Sequence, residues 1–185
     1  MLALKEWAIA VEALASGDQM IAIRKGGIHE ETKQFDLKSN AFVLFPAYEH
    51  QKETLVRHKH TSRVTELRLA GCPNPLEIGV YAEVTQEWLL EDESKLKQLE
   101  QYHIWTEQFA QIRLHWKKEQ PLHILALRVY LLEEVFELSD PLQYTGCKSW
   151  FELPFDVDAG KSKLKPVLDD QDYEKRIKLI NHILG

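Results

Sequence analysis

Hydrophobic spacing along this chain changes period several times, and each change predicts an element. Leu4, Trp7, Ala8, Val11 and Leu14 recur every three or four residues, which predicts an amphipathic helix over residues 2–15 that Ser16-Gly17-Asp18 stops. Met20–Arg24 reads as a strand with Ile21 and Ile23 on one face, and Gly26-Gly27 breaks it. Residues 28–40 carry no period and read as loop. Phe42–Phe45 is a continuous apolar run of strand length that suits burial on both faces, with Pro46 as its end. A short helix is expected over residues 49–58 and an alternating strand over Val64–Leu69, followed by the turn-rich Gly71-Cys72-Pro73-Asn74-Pro75.

The second half is more regular. Ile78, Val80, Ala82 and Val84 alternate with Gly79, Tyr81, Glu83 and Thr85, the clearest half-buried strand in the chain. Leu99, Tyr102, Trp105, Phe109, Ile112 and Trp116 predict one long helix from Asp92 to about Lys117, with its aromatic stripe in the core. Leu122–Leu132 predicts a central strand and Tyr144–Leu153 another. Pro154–Pro166 is polar and reads as a linker, and Asp170 is placed to cap a last helix carrying Tyr173, Ile177, Ile180 and Leu184. Helices and strands do not alternate regularly, so a doubly wound sheet is not expected. The order predicts an α+β fold: a single mixed sheet, strongly curled or barrel-like, with packed N-terminal, central and C-terminal helices. The domain reading is a core over 1–153, a polar linker over 154–168 and a C-terminal helix over 169–185 packed on the core.

Composition adds bounds. The 185 residues suit one domain, and an apolar fraction of 44% suffices for a full core. No run approaches the roughly 18 apolar residues of a membrane span, and the N-terminus lacks the pattern of a signal peptide, so a cytoplasmic protein with no membrane partner is expected. In that setting Cys72 and Cys147 are expected as free buried thiols, with one bridge as the alternative. The net charge of −6 argues against generic nucleic-acid affinity. Residues 24–68 are net +3 and the remainder −9, which is either a local basic patch or ordinary surface scatter.

Candidate chemistry gathers where two strand-like runs end. After Met20–Arg24, the Arg24-Lys25-Gly26-Gly27 loop joins two cations to a glycine pair. Glycines there permit positive φ, so successive backbone N–H groups can converge on an anion beside the side-chain donors. The spacing is neither a Walker loop nor a dinucleotide fingerprint. After Phe42–Phe45 come Tyr48, Glu49, His50 and Gln51. Glu and His offer acid–base chemistry, although adjacent side chains diverge on a helix or strand, so direct Glu49–His50 pairing is geometrically poor. Three weaker patterns stand beside these. His58-Lys59-His60, with His50 or Glu30, is a conceivable metal set. Asp36 with Glu66-Leu67-Arg68 is the nearest match to a metal-dependent nuclease, with Arg in place of Lys. Cys147 and Ser149 lie in an expected strand, where burial is the plainer reading.

Arg24-Lys25-Gly26-Gly27-Ile28, Glu30, Phe35 and Phe45-Pro46-x-Tyr48-Glu49-His50-Gln51 together resemble the N-terminal signature of an uncharacterised bacterial family known only as a domain of unknown function. Trp105-Thr106-Glu107, Arg128-Val129-Tyr130 and Cys147-Lys148-Ser149-Trp150 are similar to its later blocks, so the resemblance covers nearly the whole chain. It implies a loose association with restriction–modification genes and supplies no activity, cofactor or catalytic residue.

The residues themselves therefore set the functional expectation. The first reading is a binding domain in which Arg24, Lys25, Gly26, Gly27, Tyr48, His50 and Gln51 hold a phosphate-bearing ligand, a nucleotide or nucleic acid included. The alternatives are a metal-dependent phosphodiester hydrolase using Glu30, Glu49 and His50, and an interaction protein with no small-molecule site. No cofactor is implied.

Overall fold

A computed structural model describes residues 1–25, 35–115, 121–144, 146, 148–157 and 163–185. Among these the chain forms one mixed seven-stranded sheet and five α-helices. The strands are β1 (Leu2–Trp7), β2 (Ile21–Arg24), β3 (Ala41–Ala47), β4 (Leu76–Leu90), β5 (Leu122–Leu138), β6 (Trp150–Glu152) and β7 (Leu164–Pro166). The helices are α1 (Ala8–Ser16), α2 (His58–Ala70), α3 (Glu93–Gln98), α4 (Glu107–His115) and α5 (Asp170–Leu184). The sheet order is β2-β5-β4-β3-β1-β6, with β7 also paired to β5. Among the described strand pairs, only β1–β3 is parallel. The α+β class and the mixed sheet agree with the sequence reading, but the sheet does not close into a barrel: its path ends at β2 and β6.

Several elements differ from expectation, each for a local reason. The first helix begins only at Ala8. Residues 2–7 form a strand between β3 and β6, and Ala3 and Leu4 are both fully buried, so both faces of β1 are covered. Helix α1 is itself buried almost all round and ends at Gly17, whose φ of 80° is the left-handed stop that glycine supplies. Pro46 lies inside β3 rather than ending it. It pairs with Glu6 on the β1 side, while the β4 ladder stops at Val43, so no second neighbour needs its missing N–H.

The span 49–58 holds only a 3-10 turn over Glu53–Leu55. The expected strand at Val64–Leu69 is part of α2, because His60, Val64 and Leu67 are the buried positions and their spacing is helical. This removes the nuclease-like pattern: Glu66 and Arg68 lie on a helix, and Glu66 pairs with Arg63 in the same helix at 2.8 Å.

The long helix from Asp92 is three pieces. Asp92 caps α3, a 3-10 turn spans Glu100–Tyr102, and Trp105 forms an isolated antiparallel bridge to Val56 before α4 starts. Thr106 resets the helix by accepting the Phe109 N–H at 3.3 Å, an N-cap contact that the hydrophobic period hid. Trp105 and Phe109 are buried as expected, at 4% and 5% exposure; Trp116 lies outside the described residues.

In the C-terminal third, Pro141–Tyr144 is a 3-10 turn, so the strand expected from Tyr144 is only β6. Within the polar stretch read as a linker, Leu164–Pro166 pairs with β5 and the Phe155 ring stacks on Phe136 at 4.0 Å. Asp169, not Asp170, caps α5 by accepting the Asp172 N–H. Asp170 instead pairs with Arg128 at 2.6 Å. Cys72 is a half-buried free thiol, and Cys147 lies outside the described residues.

Candidate functional site: a cationic cleft with an aromatic wall

A concavity of about 240 Å³ is built at the ends of three strands. Lys5, Glu6 and Trp7 come from the end of β1, Ile23 and Arg24 from the end of β2, and Ala47, Glu49 and His50 from the end of β3 and its following turn. Because β1 and β3 run parallel, their C-terminal ends open on the same side. Trp105 and, from α4, Phe109 and Arg113 supply another wall. Gly146, Lys148 and Ser149, which precede β6, complete the rim.

β2 is not a neighbour of β1; β5, β4 and β3 stand between them in the sheet order. The Arg24 side chain spans the gap. Its Nη1 donates to Glu6 Oε1 at 2.7 Å and to the Lys5 carbonyl at 3.3 Å, and the pair is largely desolvated, with side-chain exposures of 14% and 10%. The Arg24 guanidinium also lies 5.4 Å from the Phe35 ring. Lys5 Nζ donates to the carbonyls of Tyr144 and Gly146, which ties β1 to the rim.

The aromatic wall is layered. Trp105 and Phe109 stack at 4.1 Å and 15°, and Trp7 meets them edge-on at 5.3 and 6.4 Å. The Arg113 guanidinium lies over the Phe109 ring at 5.3 Å. Burial pushes Arg113 below its ordinary pKa, the Arg24 charge pushes the same way, and Glu6 opposes them. Sequence reasoning missed Arg113; its signal was the four-residue spacing from Trp105 through Phe109, read only as core.

Of the residues expected at a site, Arg24, Glu49 and His50 meet at this cleft. His50 adopts φ 60°, the only positive φ at a non-glycine position among the described residues. Three others lie elsewhere. Lys25 is 4% exposed and its Nζ donates to the Leu114 carbonyl in the last turn of α4, where burial pushes the amine down. Gln51 is 3% exposed; its Oε1 accepts the Ile9 N–H in the first turn of α1 and its Nε2 donates to the Tyr48 carbonyl. Tyr48 is packed between two hydrophobic clusters, and burial pushes its phenol up. Gly26, Gly27 and Glu30 lie outside the described residues.

The His58-Lys59-His60 set sits on α2, where positions two apart diverge in direction. Among the described residues no group of three or more His, Cys, Asp or Glu is placed to hold a metal ion. No described helix is long and apolar enough to cross a membrane.

Residues 3–178 match the family described as Domain of unknown function (DUF1802), and the chain belongs to that family. No curated protein and no solved structure matches it.

Proposed function

We propose that this DUF1802 member is a ligand-binding protein whose cleft holds a phosphate-bearing anion. Arg113 carries the reading. Its guanidinium lines the cleft yet makes no hydrogen bond or ion pair among the described residues. The acid that acts on it, Glu6, is already engaged by Arg24. A partly buried cation in that position is under-neutralised, and an incoming anion would restore the balance that burial removes. Four cationic side chains, Lys5, Arg24, Arg113 and Lys148, line the cleft against two carboxylates, Glu6 and Glu49. The two guanidinium forks suit the tetrahedral oxygens of a phosphate.

Calorimetric titration of pyrophosphate and organic phosphates tests this. Binding should weaken with salt and fall when Arg113 is replaced by Ala. Absence of binding at low and high ionic strength would overturn the reading.

A metal-dependent hydrolase is the second reading, and it draws support from Glu49 and His50 lining the same cleft. It predicts phosphodiester cleavage that requires added Mg²⁺ or Mn²⁺ and is lost in Glu49→Gln.

A further inference from the structure

We propose that the occupant of the cleft is a nucleoside phosphate, with a planar base against Trp7 and the phosphate at Arg113 and Arg24. The inference rests on the phosphate reading above and goes beyond it in naming the rest of the ligand. A bare phosphate would use only the cations. It would leave the accessible part of Trp7 wet, although aromatic surface gains from being covered.

The wall is arranged for a flat partner. Trp105 and Phe109 are nearly parallel, 15° apart, and at 4% and 5% exposure they form its back. Trp7 stands edge-on to both and is only half-buried, so part of its indole is open to the cleft it lines. Arg113 extends the layer with a planar cation over Phe109, and guanidinium planes, like aromatic rings, accept stacked bases. One surface thus offers an aromatic face and, beside it, the Arg113 guanidinium, which has no hydrogen-bond or ion-pair partner among the described residues.

The size agrees. The cavity of about 240 Å³ is several times larger than a phosphate ion. It falls just below the roughly 300 Å³ at which pockets for drug-sized ligands begin. That leaves room beside the phosphate for one planar ring, and the rest of a nucleotide or a longer strand would run out through the opening.

The test uses the full chain, with indole fluorescence and calorimetry as readouts. The probes are adenosine and cytidine monophosphates, ribose 5-phosphate, adenosine, and a single-stranded tetranucleotide. The monophosphates should bind about tenfold more tightly than ribose 5-phosphate, as expected for one stacked base, and should quench the indole emission. Trp7→Leu should abolish that margin. Trp7→Phe preserves a ring and the packing on Trp105, so it should keep the margin, which separates lost stacking from lost folding.

Ribose 5-phosphate binding as tightly as the monophosphates would overturn this inference and leave the phosphate reading intact. Failure of every phosphate compound would end both. Adenosine matching the monophosphate would remove the phosphate from the recognised unit and overturn the proposal. Given a monophosphate margin, tighter binding of the tetranucleotide would assign the base–phosphate unit to a strand, and equal binding to a free nucleotide.

Discussion

Gln51 Oε1 accepts the Ile9 N–H at 3.0 Å, so a side chain 42 positions downstream caps the first turn of α1. The residue at the N-cap position, Trp7, has no side-chain acceptor to offer. Because both partners are buried, removing the amide leaves a donor without water or protein to receive it. Gln51→Ala should therefore cost about 1–2 kcal/mol. Thermal melts measure this directly. An unchanged midpoint would mean that the first turn of α1 does not depend on this contact.

A second expectation concerns His50. At φ 60° its backbone occupies the left-handed region, which a side chain disfavours and glycine enters freely. His50→Gly should raise stability by up to about 1 kcal/mol, and the gain would identify the strain as a local cost of the cleft. If the imidazole contacts ligand, the same variant should bind phosphate compounds more weakly. A loss of stability would show instead that His50 supports the turn through its side chain.

The pattern of the chain made the β-rich half and the last helix legible, and misled where a short apolar run fits two periods. Leu4, Trp7, Ala8, Val11 and Leu14 satisfy a helical stripe, yet Leu4 and Trp7 belong to a buried strand whose partners are β3 and β6. Those partners are remote in sequence, and tertiary pairing overrides a local period. The reverse happened in α2, where residues 64–69 read as alternating until His60 is counted with Val64 and Leu67 as a buried position. At the cleft, Arg24, Glu49 and His50 were legible because polar clusters follow strand-like runs. Arg113 was not, because the fold of α4 against β1 and β2 decides that its guanidinium reaches the same cleft. Gln51 shows the opposite failure. Its place in a polar cluster suggested a ligand contact, and the structure uses it as a cap.

His103 should make the protein acid-sensitive. It is 2% exposed, its Nδ1 accepts the Trp105 N–H, and its Nε2 is buried without a partner. Burial, reinforced by the Arg57 charge, pushes its pKa down from 6.5 to about 4. The depressed folded value means that the unfolded chain takes up a proton first as pH falls. Stability due to neutral His103 is thus full above about pH 6.5 and is lost between there and about pH 4, on the order of 3 kcal/mol in total. His103→Asn keeps an acceptor for the Trp105 N–H and removes the titration. Denaturant melts across that range should show a flatter pH dependence in the variant; parallel curves would rule out His103 as the source.

Arg24 and Arg113 line one cleft and should respond oppositely to truncation. Arg24 neutralises Glu6 within a desolvated pair. Arg24→Ala leaves that carboxylate without its partner and should cost about 3 kcal/mol of stability. Arg113 has no acidic partner among the described residues, and its guanidinium is held against the Phe109 ring at a cost in burial. Arg113→Met keeps apolar contact with the ring and removes a charge that burial and Arg24 both disfavour. It should be neutral or slightly stabilising in the absence of ligand. Phosphate-compound binding should nevertheless fall in Arg113→Met, and the salt dependence of what remains should become shallower. Parallel melts and titrations of the two variants decide the matter. If Arg113→Met is destabilised as much as Arg24→Ala, the guanidinium is a structural group of the fold, and the argument for an anion in the cleft loses its main support.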